Sequence, residues 1–439
     1  IIKADKSRKY VVPSAPGKRD SKDTKVTDML YACYDMAVRG GDFLPMFMQI
    51  KQRYTDIIDG LKLGMSLDGE FETIKHSFMA RAGRDYAASR GEYLNGKILA
   101  EYIGFTFVDA AEVIYFNDDG KLNLVQTCRI VKERLDRVGN AVIPGFYGSM
   151  PNDTIKTFSR GGSDITGSIV AAAADADLYE NWTDVSGFLI ADPRVVDNPQ
   201  VMKTVTYREL RELSYMGASV LHEEAVFPVR EAGIPLVIKN TNAPQDPGTI
   251  ISETADEGEA EPIITGVTGK RGFVAINVAR DRTKPRVGFM RRALSVFERY
   301  DVSVEHMPTG VDRFGAVVQE QDVHDSLYSL VGDIQQEVEP LEIEVVEGLA
   351  LIATVGRNLR GRAGISGHLF GMLGQAGVSV RMISQSCDEI NIIIGVEEKD
   401  FDLAIRTIYR AFSDENGIVK VSDLEASAPV DPALAALKK

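Results

Sequence analysis

The segment Phe158–Thr166 (FSRGGSDIT) holds the residues best suited to chemistry in this sequence. Its glycine pair frees the backbone to approach a ligand, and Ser163 and Asp164 are predicted to begin a helix, with Ser163 as the N-cap. A helix N-terminus favours anions, and the guanidinium of Arg160 matches a carboxylate or phosphate through two parallel hydrogen bonds. Together they indicate an anion pocket; the alternative left open by spacing alone is a capped helix after a glycine turn.

A second loop, Trp182–Arg194, follows a run that is typical of a buried strand. Ligands of open α/β sheets bind beyond the carboxyl ends of the strands, so Thr183, Asp184 and Arg194 are candidate contacts. For Asp184 or Asp192 taken alone, capping of backbone amides in an ordinary turn explains the residue better than a role in binding.

A third segment, Ser89–Glu92 (SRGE), is predicted to end at a helix start. Two interpretations of Glu92 remain open there: it caps the first turn, or it binds the ammonium group of a substrate.

Motifs of several other chemistries are missing from the sequence. It contains neither the phosphate-binding GxxxxGK[ST] nor the dinucleotide-binding GxGxxG pattern, and its histidines show no metal-ligand spacing. Dinucleotide redox chemistry and zinc chemistry are therefore disfavoured, and no metal site is predicted. The histidines are His76, His222, His306, His324 and His368.

Composition narrows the class of protein further. The chain has 439 residues, of which 44% are hydrophobic and 26% charged, and this balance predicts two to four globular domains. A formal charge of -14 repels nucleic-acid phosphates, and no apolar run is long enough for a membrane span. The cysteines are only Cys33, Cys128 and Cys387, which predicts a reducing, cytoplasmic environment.

The elements that must position these residues follow an α/β pattern. Short β-rich runs alternate with helical patterns up to Asn240, which predicts a mostly parallel sheet with helices on both faces. Helical faces are predicted from Leu94, Ile98 and Tyr102 and from Leu221, Ala225 and Val229. The predicted strands are Lys9–Val12, Phe105–Val108, Ala141–Pro144, Leu178–Trp182 and Pro235–Ile238.

The second half of the chain contains an internal repeat. Gly288–Gly310 aligns without gaps on Gly364–Ser386, and both copies carry V-S-V at the same place. Each copy predicts a small α+β unit in which a helix leads into a V-S-V strand and a second strand follows. The proline-rich and acidic segment 240–261 is predicted to be the exposed linker before the repeat.

Six motifs in this order strongly resemble those of the aspartate kinases: S-R-G-E at 89–92, G-F-Y-G at 145–148, S-R-G-G-S-D at 159–164, W-T-D-V-S-G at 182–187, A-D-P-R at 191–194 and M-G-A-S-V-L-H at 216–222. The resemblance implies an αβα sandwich kinase domain at 1–255 and two ferredoxin-like ACT domains. These occupy 262–345 and 346–425, where a C-terminal strand is expected to complete the first.

The resemblance also implies roles for single residues. The aspartate pocket is assigned to Glu92, Phe146, Arg160, Ser163 and Asp164, with Arg160 and Asp164 as the catalytic pair. ATP, accompanied by Mg²⁺, is expected to meet Thr183, Asp184 and Arg194. The implied reaction moves the γ-phosphoryl group of ATP to the β-carboxylate of L-aspartate and gives 4-phospho-L-aspartate, the first step of lysine, threonine and methionine biosynthesis.

The ACT resemblance implies feedback control by an end-product amino acid. Lysine is the first expectation and threonine the second, with Gly288, Met290, Glu305 and Thr309 as effector contacts. A homodimer or homotetramer through the ACT domains is expected, with neither nucleic acid nor membrane as partner.

The sequence departs from the family at several places. It has Ser186, Leu189 and Glu223 where members commonly have Pro, Tyr and Pro, and it lacks their initial K-F-G-G-[ST]-S phosphate loop. We therefore expect an N-terminal segment to be missing and the chain as given to show little activity. The alternatives are a catalytically inactive amino-acid sensor and another amino-acid kinase, such as one acting on glutamate or acetylglutamate.

Overall fold

The computed structural model describes residues 1–159, 161–217, 221, 223–255, 262–283, 287–414 and 417–418. The chain divides into two compact units. The first comprises Ile1–Gly187 with Leu221–Glu253, and the second comprises Phe188–Val220 with Thr254–Lys439.

The α-helices of the described residues are α1 (Val26–Val38), α2 (Leu44–Gly60), α3 (Asp68–Met79), α4 (Arg84–Ile103), α5 (Leu124–Val138), α6 (Gly162–Ala173), α7 (Tyr207–Tyr215), α8 (Glu223–Glu231), α9 (Phe289–Arg299), α10 (Glu320–Val323), α11 (Leu327–Val338), α12 (Ile365–Gln375) and α13 (Phe401–Ala411). The β-strands are β1 (Tyr10–Val11), β2 (Thr106–Phe107), β3 (Ala141–Val142), β4 (Tyr147–Ser149), β5 (Ile155–Thr157), β6 (Tyr179–Thr183), β7 (Thr204–Thr206), β8 (Leu236–Asn240), β9 (Thr249–Ser252), β10 (Gly266–Ala279), β11 (Arg313–Gln319), β12 (Glu342–Val355), β13 (Met382–Ser384), β14 (Asn391–Glu397), β15 (Ser413–Asp414) and β16 (Gly417–Ile418).

Parallel strand pairs form the sheets of the first unit. β1 and β2 pair with the two sides of β3, and Tyr10 and Thr106 both lie opposite Ala141. β6 pairs in parallel with β8, and β9 adds antiparallel to β8. Every strand predicted in this part of the sequence is present, and the α/β class is confirmed.

The region Phe43–Phe78, to which the sequence assigns no role, forms α2 and α3. Its aromatic rings interlock: the centroid of Phe47 lies 5.7 Å from that of Phe71 and 5.9 Å from that of Phe78. These rings share one buried apolar cluster with Leu94 of α4 and with residues of α1. The region therefore adds a helical layer that packs against α1 and α4.

The second unit is built on an antiparallel sheet with the strand order β11-β10-β12-β14-β13. Alternate residues of β10, namely Val274, Ile276 and Val278, share an apolar cluster with Phe297 of α9 and Ile334 of α11. This alternation is the two-residue period of a strand with one face against helices.

The internal repeat is present, with one correction. Gly288 and Gly364 are the N-caps of α9 and α12, at left-handed φ values of 77° and 94° that favour glycine. The predicted second strands are confirmed within β11 and β14. The V-S-V segments 302–304 and 378–380 were predicted to be strands, and this is wrong. A left-handed residue precedes each segment, and the first valine fills the core without pairing in a ladder.

Two further expectations are corrected. Tyr102 was predicted to face the core but is 43% exposed, because it lies in the last turn of α4, where Lys3 lies over its ring. The segment 240–261 was predicted to be an exposed linker, yet it contains β9, in which Thr249 and Ile251 are fully buried. Residues 256–261 lie outside the described residues. The domain limits stay a prediction.

The segment Phe188–Val220 packs within the second unit through α7. Thr206 and Glu209 form a capping box at the start of this helix, and Glu209 is fully buried. Arg357 donates from Nη1 to Glu209 Oε2 at 2.9 Å and from its backbone amide to Oε1 at 2.9 Å. Among the helices that the structure describes, none combines the length and apolarity of a membrane span.

Candidate active site

The carboxyl ends of β1 and β3 meet at one edge of the parallel sheet. The chain leaving β1 passes Pro13, whose carbonyl accepts a hydrogen bond at 3.1 Å from the amide of Gly145, which follows β3. Because ligands of α/β sheets bind beyond the carboxyl ends of strands, this edge is the candidate site.

The N-terminus of α6 abuts this edge with no spare room. A Cβ added to Gly145 would lie 2.6 Å from Ser163 Oγ, and one added to Gly162 would lie 2.4 Å from the ring of Phe146. Phe146 itself has a left-handed φ of 82°, and its amide donates to Thr166 Oγ1 at 3.1 Å. The sequence motifs G-F-Y-G and S-R-G-G-S-D are therefore one packed structure, in which glycine is required for close approach.

Ser163 was predicted to be the N-cap of α6, and this is wrong. The N-cap is Gly161, at a left-handed φ of 56°, and it has no side chain to cap the first amides. Ser163 and Asp164 lie within the first turn, as predicted for Asp164. The helix dipole at this N-terminus favours an anion. Arg160 lies outside the described residues.

Two side chains of β6 donate hydrogen bonds to Asp164. Its Oδ1 accepts a hydrogen bond at 2.8 Å from Asn181, and its carbonyl accepts one at 3.2 Å from the Tyr179 hydroxyl. Asn181 was not predicted as a site residue, although it stands two residues before Thr183, near the carboxyl end of a predicted strand.

Glu92 lies in the middle of α4, so its predicted position at a helix start is wrong and the capping interpretation falls with it. Its side chain is only 6% exposed, and Oε2 has no hydrogen-bond partner among the described residues. Burial raises the pKa of this carboxyl group to about 7, against which a backbone hydrogen bond from Ala15 and the charge of Arg90 act to lower it. A buried acceptor without a partner suits a cationic group of a ligand.

The loop after β1 also lies against Glu92 of α4, so Glu92 belongs to the same candidate site. Ala15, which contacts the Glu92 carboxyl group, stands two residues after Pro13, and the carbonyl of the intervening Ser14 accepts a hydrogen bond from Asn95 of α4 at 2.7 Å. The same loop thus contacts Gly145 on one side and Glu92 on the other. This loop was not predicted from the sequence, although it follows the carboxyl end of a predicted strand, where ligands of such sheets bind.

Of the predicted nucleotide contacts, Thr183 and Asp184 belong to the first unit. The carbonyl of Thr183 accepts from the amide of Thr241 at 2.8 Å, so the ends of β6 and β8 adjoin, and Asp184 is exposed beside them. Ser186, a departure from the family, donates to Asp246 at 2.6 Å. Arg194 belongs to the second unit, where it is 88% exposed and pairs with Asp192 at 2.6 Å.

The predicted effector contacts lie on the second unit. Gly288 begins α9, and Thr309 forms an isolated bridge with Phe314 beside a groove of about 430 Å³. Glu305 accepts a hydrogen bond from Gln319 at 3.1 Å, and it stands four residues before Thr309 in the chain. Met290 packs, partly buried, against the cluster under α9.

Two protein families match parts of this chain. Residues 7–240 match the amino acid kinase family, and residues 352–412 match the ACT domain. Aspartokinase 3 of Bacillus subtilis is 34% identical over 430 residues, which cover 94% of each chain. The crystal structure of Clostridium acetobutylicum aspartate kinase superimposes with a TM-score of 0.89 at 48% identity, covering 94% of this chain and 95% of that one.

Aspartokinase III of Escherichia coli, solved with aspartate and ADP, shares the fold at a TM-score of 0.68 and 22% identity, covering 93% of this chain and 94% of that one. The residues matched make the first part of the chain an amino acid kinase fold, followed by an ACT part. The chain belongs to the amino acid kinase family and is, within it, an aspartokinase, an ATP-dependent phosphotransferase with a carboxyl acceptor.

Proposed function

We propose that this chain transfers the γ-phosphoryl group of ATP to the β-carboxylate of L-aspartate. A carboxylate oxygen forms the new bond to the γ-phosphorus while the bond to the β,γ-bridging oxygen breaks, which gives 4-phospho-L-aspartate and ADP. This reaction is proposed as the first step of lysine, threonine and methionine biosynthesis. We also propose a cytoplasmic location, as the cysteine pattern predicts.

The observation that carries the proposal is the Glu92 carboxyl group. It is buried at the carboxyl edge of the sheet, and its Oε2 lacks a partner among the described residues. The ammonium group of aspartate would supply the missing donor, and its positive charge would hold Glu92 ionised. Phe146 would line the pocket.

The N-terminus of α6 provides the matching site for the negative groups of the substrate. Ser163 and Asp164 stand in its first turn, and Ser163 lies next to Gly145. We assign Arg160 and Asp164 the catalytic roles: a guanidinium offsets the repulsion between carboxylate and phosphate, and Asp164 is kept in place by Asn181.

ATP is proposed to approach from the loops after β6 and β8, where Thr183 and Asp184 lie, with Arg194 as a further contact. Among the described residues no group of three or more His, Cys, Asp or Glu side chains stands close enough to hold a metal ion. Mg²⁺ is therefore proposed to bind mainly through phosphate oxygens and water, as this ion usually does, and it would neutralise phosphate charge.

The proposal is tested by replacing Glu92 with Gln in the full-length enzyme. Loss of a charge-assisted contact to a buried acceptor predicts that aspartate affinity falls about 10–100-fold, measured by calorimetry and by coupled ADP formation. Glu101→Gln, on the exposed face of the same helix, is the matched control and is expected to change nothing. Equal aspartate affinity in both variants would refute the role of Glu92, and preference for glutamate or acetylglutamate in a substrate panel would refute the substrate.

We further propose feedback inhibition through the ACT part, with lysine as effector and threonine as second choice, in a homodimer or homotetramer joined through these modules. The Escherichia coli enzyme was also solved with lysine and aspartate, and the Clostridium enzyme is described as allosteric. Gly288, Met290, Glu305 and Thr309 are the proposed contacts, with Glu305 binding the effector ammonium group.

Calorimetry with lysine and with threonine tests the effector site. Glu305→Ala should weaken binding of the effector, whereas Glu298→Ala, an exposed carboxylate of α9, should not. If neither amino acid binds the wild type, or if both variants bind alike, the effector proposal is wrong.

A further inference from the structure

The loop between β1 and α1 has no helix or strand from residue 12 to residue 25. We call these residues the 12–25 loop. Hydrogen bonds of a helix or sheet therefore do not fix its conformation, yet its first residues make close contacts that require a defined position. The Pro13 carbonyl accepts a hydrogen bond from the Gly145 amide, the backbone of Ala15 lies near enough to the Glu92 carboxyl group to lower its pKa, and a Cβ added to Gly91 would lie only 2.9 Å from the Ala15 side chain.

The far part of this loop is held by an arginine from α2. Arg53 is 5% exposed although the rest of the buried face of α2 is apolar or aromatic. Its guanidinium donates to the carbonyl of Gly17, to the carbonyl of Thr24 at 3.1 Å, and pairs with Asp23 at 3.0 Å. All these acceptors belong to the 12–25 loop, and they stand near its middle and its end.

Burying a guanidinium is costly unless its donors find acceptors. The planar fork of arginine can hold two backbone carbonyls and a carboxylate at fixed relative positions, which a lysine or an apolar residue cannot do. Tyr54, the next residue of α2, donates from its hydroxyl to the carbonyl of Gly91 at 2.8 Å, directly beside Glu92. One turn of α2 therefore contacts both the 12–25 loop and the turn of α4 that carries Glu92.

We propose that Arg53 is a positioning residue for aspartate binding: it fixes the 12–25 loop so that the Ala15 amide stays against Glu92 and the Pro13 carbonyl against Gly145. This assigns a task to the helical region Phe43–Phe78. Arg53 touches no substrate in this proposal, and it acts only through the loop. The proposal rests on the proposed function for the part that concerns aspartate.

A pH profile separates positioning from mere stabilisation. Without the Ala15 amide, the carboxyl group of Glu92 loses a contact that favours its ionised form, so the pH below which aspartate binding fails should move upward. The groups that act on this carboxyl group are otherwise unchanged: the charge of Arg90 on α4, Tyr54 on α2 and Tyr31 on α1.

The test compares Arg53→Met and Arg53→Lys with Ile58→Ala in the full-length enzyme. Ile58 is buried in the same helical cluster, more than one turn further along α2, and its loss destabilises the cluster without touching the loop acceptors. Hydrogen exchange followed by mass spectrometry reports on the 12–25 loop in the ligand-free protein, and calorimetry reports on aspartate affinity as a function of pH.

In Arg53→Met we expect faster exchange across the loop, an aspartate affinity lowered by about tenfold, the effect of one hydrogen bond to a charged group, and an upward shift of the pH midpoint. Arg53→Lys should fall between Arg53→Met and the wild type. Ile58→Ala should lower the melting temperature but leave exchange of the loop, affinity and midpoint as in the wild type.

The proposal is overturned if Arg53→Met lowers the melting temperature while loop exchange and pH midpoint stay unchanged, or if Ile58→Ala shifts them as much. Failure of the proposed function looks different. In that case the wild type itself binds no aspartate, and the exchange of the loop in Arg53→Met still decides whether Arg53 fixes it.

Discussion

Replacing Arg357 with Met should destabilise the second unit strongly, because it leaves the buried carboxylate of Glu209 without its positively charged partner. Glu209 is fully buried, and the Arg357 side chain is 8% exposed. Without the arginine, the Glu209 carboxylate still accepts hydrogen bonds from the amide of Thr206 at 2.8 Å and from the hydroxyl of Thr265 at 2.5 Å. These donors satisfy hydrogen bonds but supply no compensating charge. Breaking such a pair costs about 3–5 kcal/mol.

Differential scanning calorimetry measures this cost. For a unit of this size about 2–4 °C is lost per kcal/mol, so the transition of the second unit should fall by roughly 6–20 °C. The matched control is Arg381→Met, which breaks the exposed pair of Arg381 with Glu397 and should cost no more than about 1 kcal/mol.

A double variant identifies the cause. Adding Glu209→Gln to Arg357→Met removes the uncompensated charge, so part of the lost melting temperature should return. The explanation by a buried charge is refuted if the melting temperature falls no further in Arg357→Met than in the exposed control Arg381→Met. It is also refuted if the double variant is less stable than Arg357→Met.

Three further predictions follow from single side chains. Because burial raises the pKa of Glu92 to about 7, aspartate affinity measured by calorimetry should fall as pH drops below that value, by at most tenfold per unit; Glu92→Gln should remove this dependence, and a flat wild-type profile would contradict it. Gly145→Ala places a Cβ 2.6 Å from Ser163 Oγ, so it should cost about 1–3 kcal/mol in thermal unfolding and weaken aspartate binding; unchanged affinity would mean that the helix end is not part of the site. Burial raises the pKa of Cys33 to about 12, so mass spectrometry after iodoacetamide at neutral pH should find exposed Cys387 alkylated and Cys33 intact; equal labelling would show that the cluster around Cys33 opens readily.

Local signals explain why much of the fold was predictable. The strands near residues 10, 106, 141 and 236 lie in short, largely apolar runs bounded by turn residues, and these runs can be recognised without knowledge of their partners. The repeat was readable for the same reason, since Gly288 and Gly364 begin equivalent helices. The V-S-V segments were wrongly predicted to be strands because valines also occur where the chain leaves a turn and buries a side chain without pairing in a sheet.

Non-local contacts explain what could not be predicted. Strand β9 is hidden among proline and acidic residues, and it is defined only by pairing with β8. Glu92 was placed at a helix start because nothing in its neighbourhood shows that α4 begins at Arg84. In the sequence, Arg53 cannot be told from an ordinary charged residue on the exposed face of a helix. The carbonyls that accept its hydrogen bonds, those of Thr24 and Gly17, lie 29 and 36 residues away in the chain.

The sequence by itself determined the α/β class, the repeated units and the residue types at 159–164 that we propose to bind an anion, since each depends on neighbours within a few positions. Only the tertiary structure decided that Gly145 packs on Ser163, that Glu92 is buried without a partner for Oε2 among the described residues, and that Phe188–Val220 packs with the second unit. The physical reason is that burial and close approach are properties of segments distant in the chain, and a local pattern carries no information on which of them will meet.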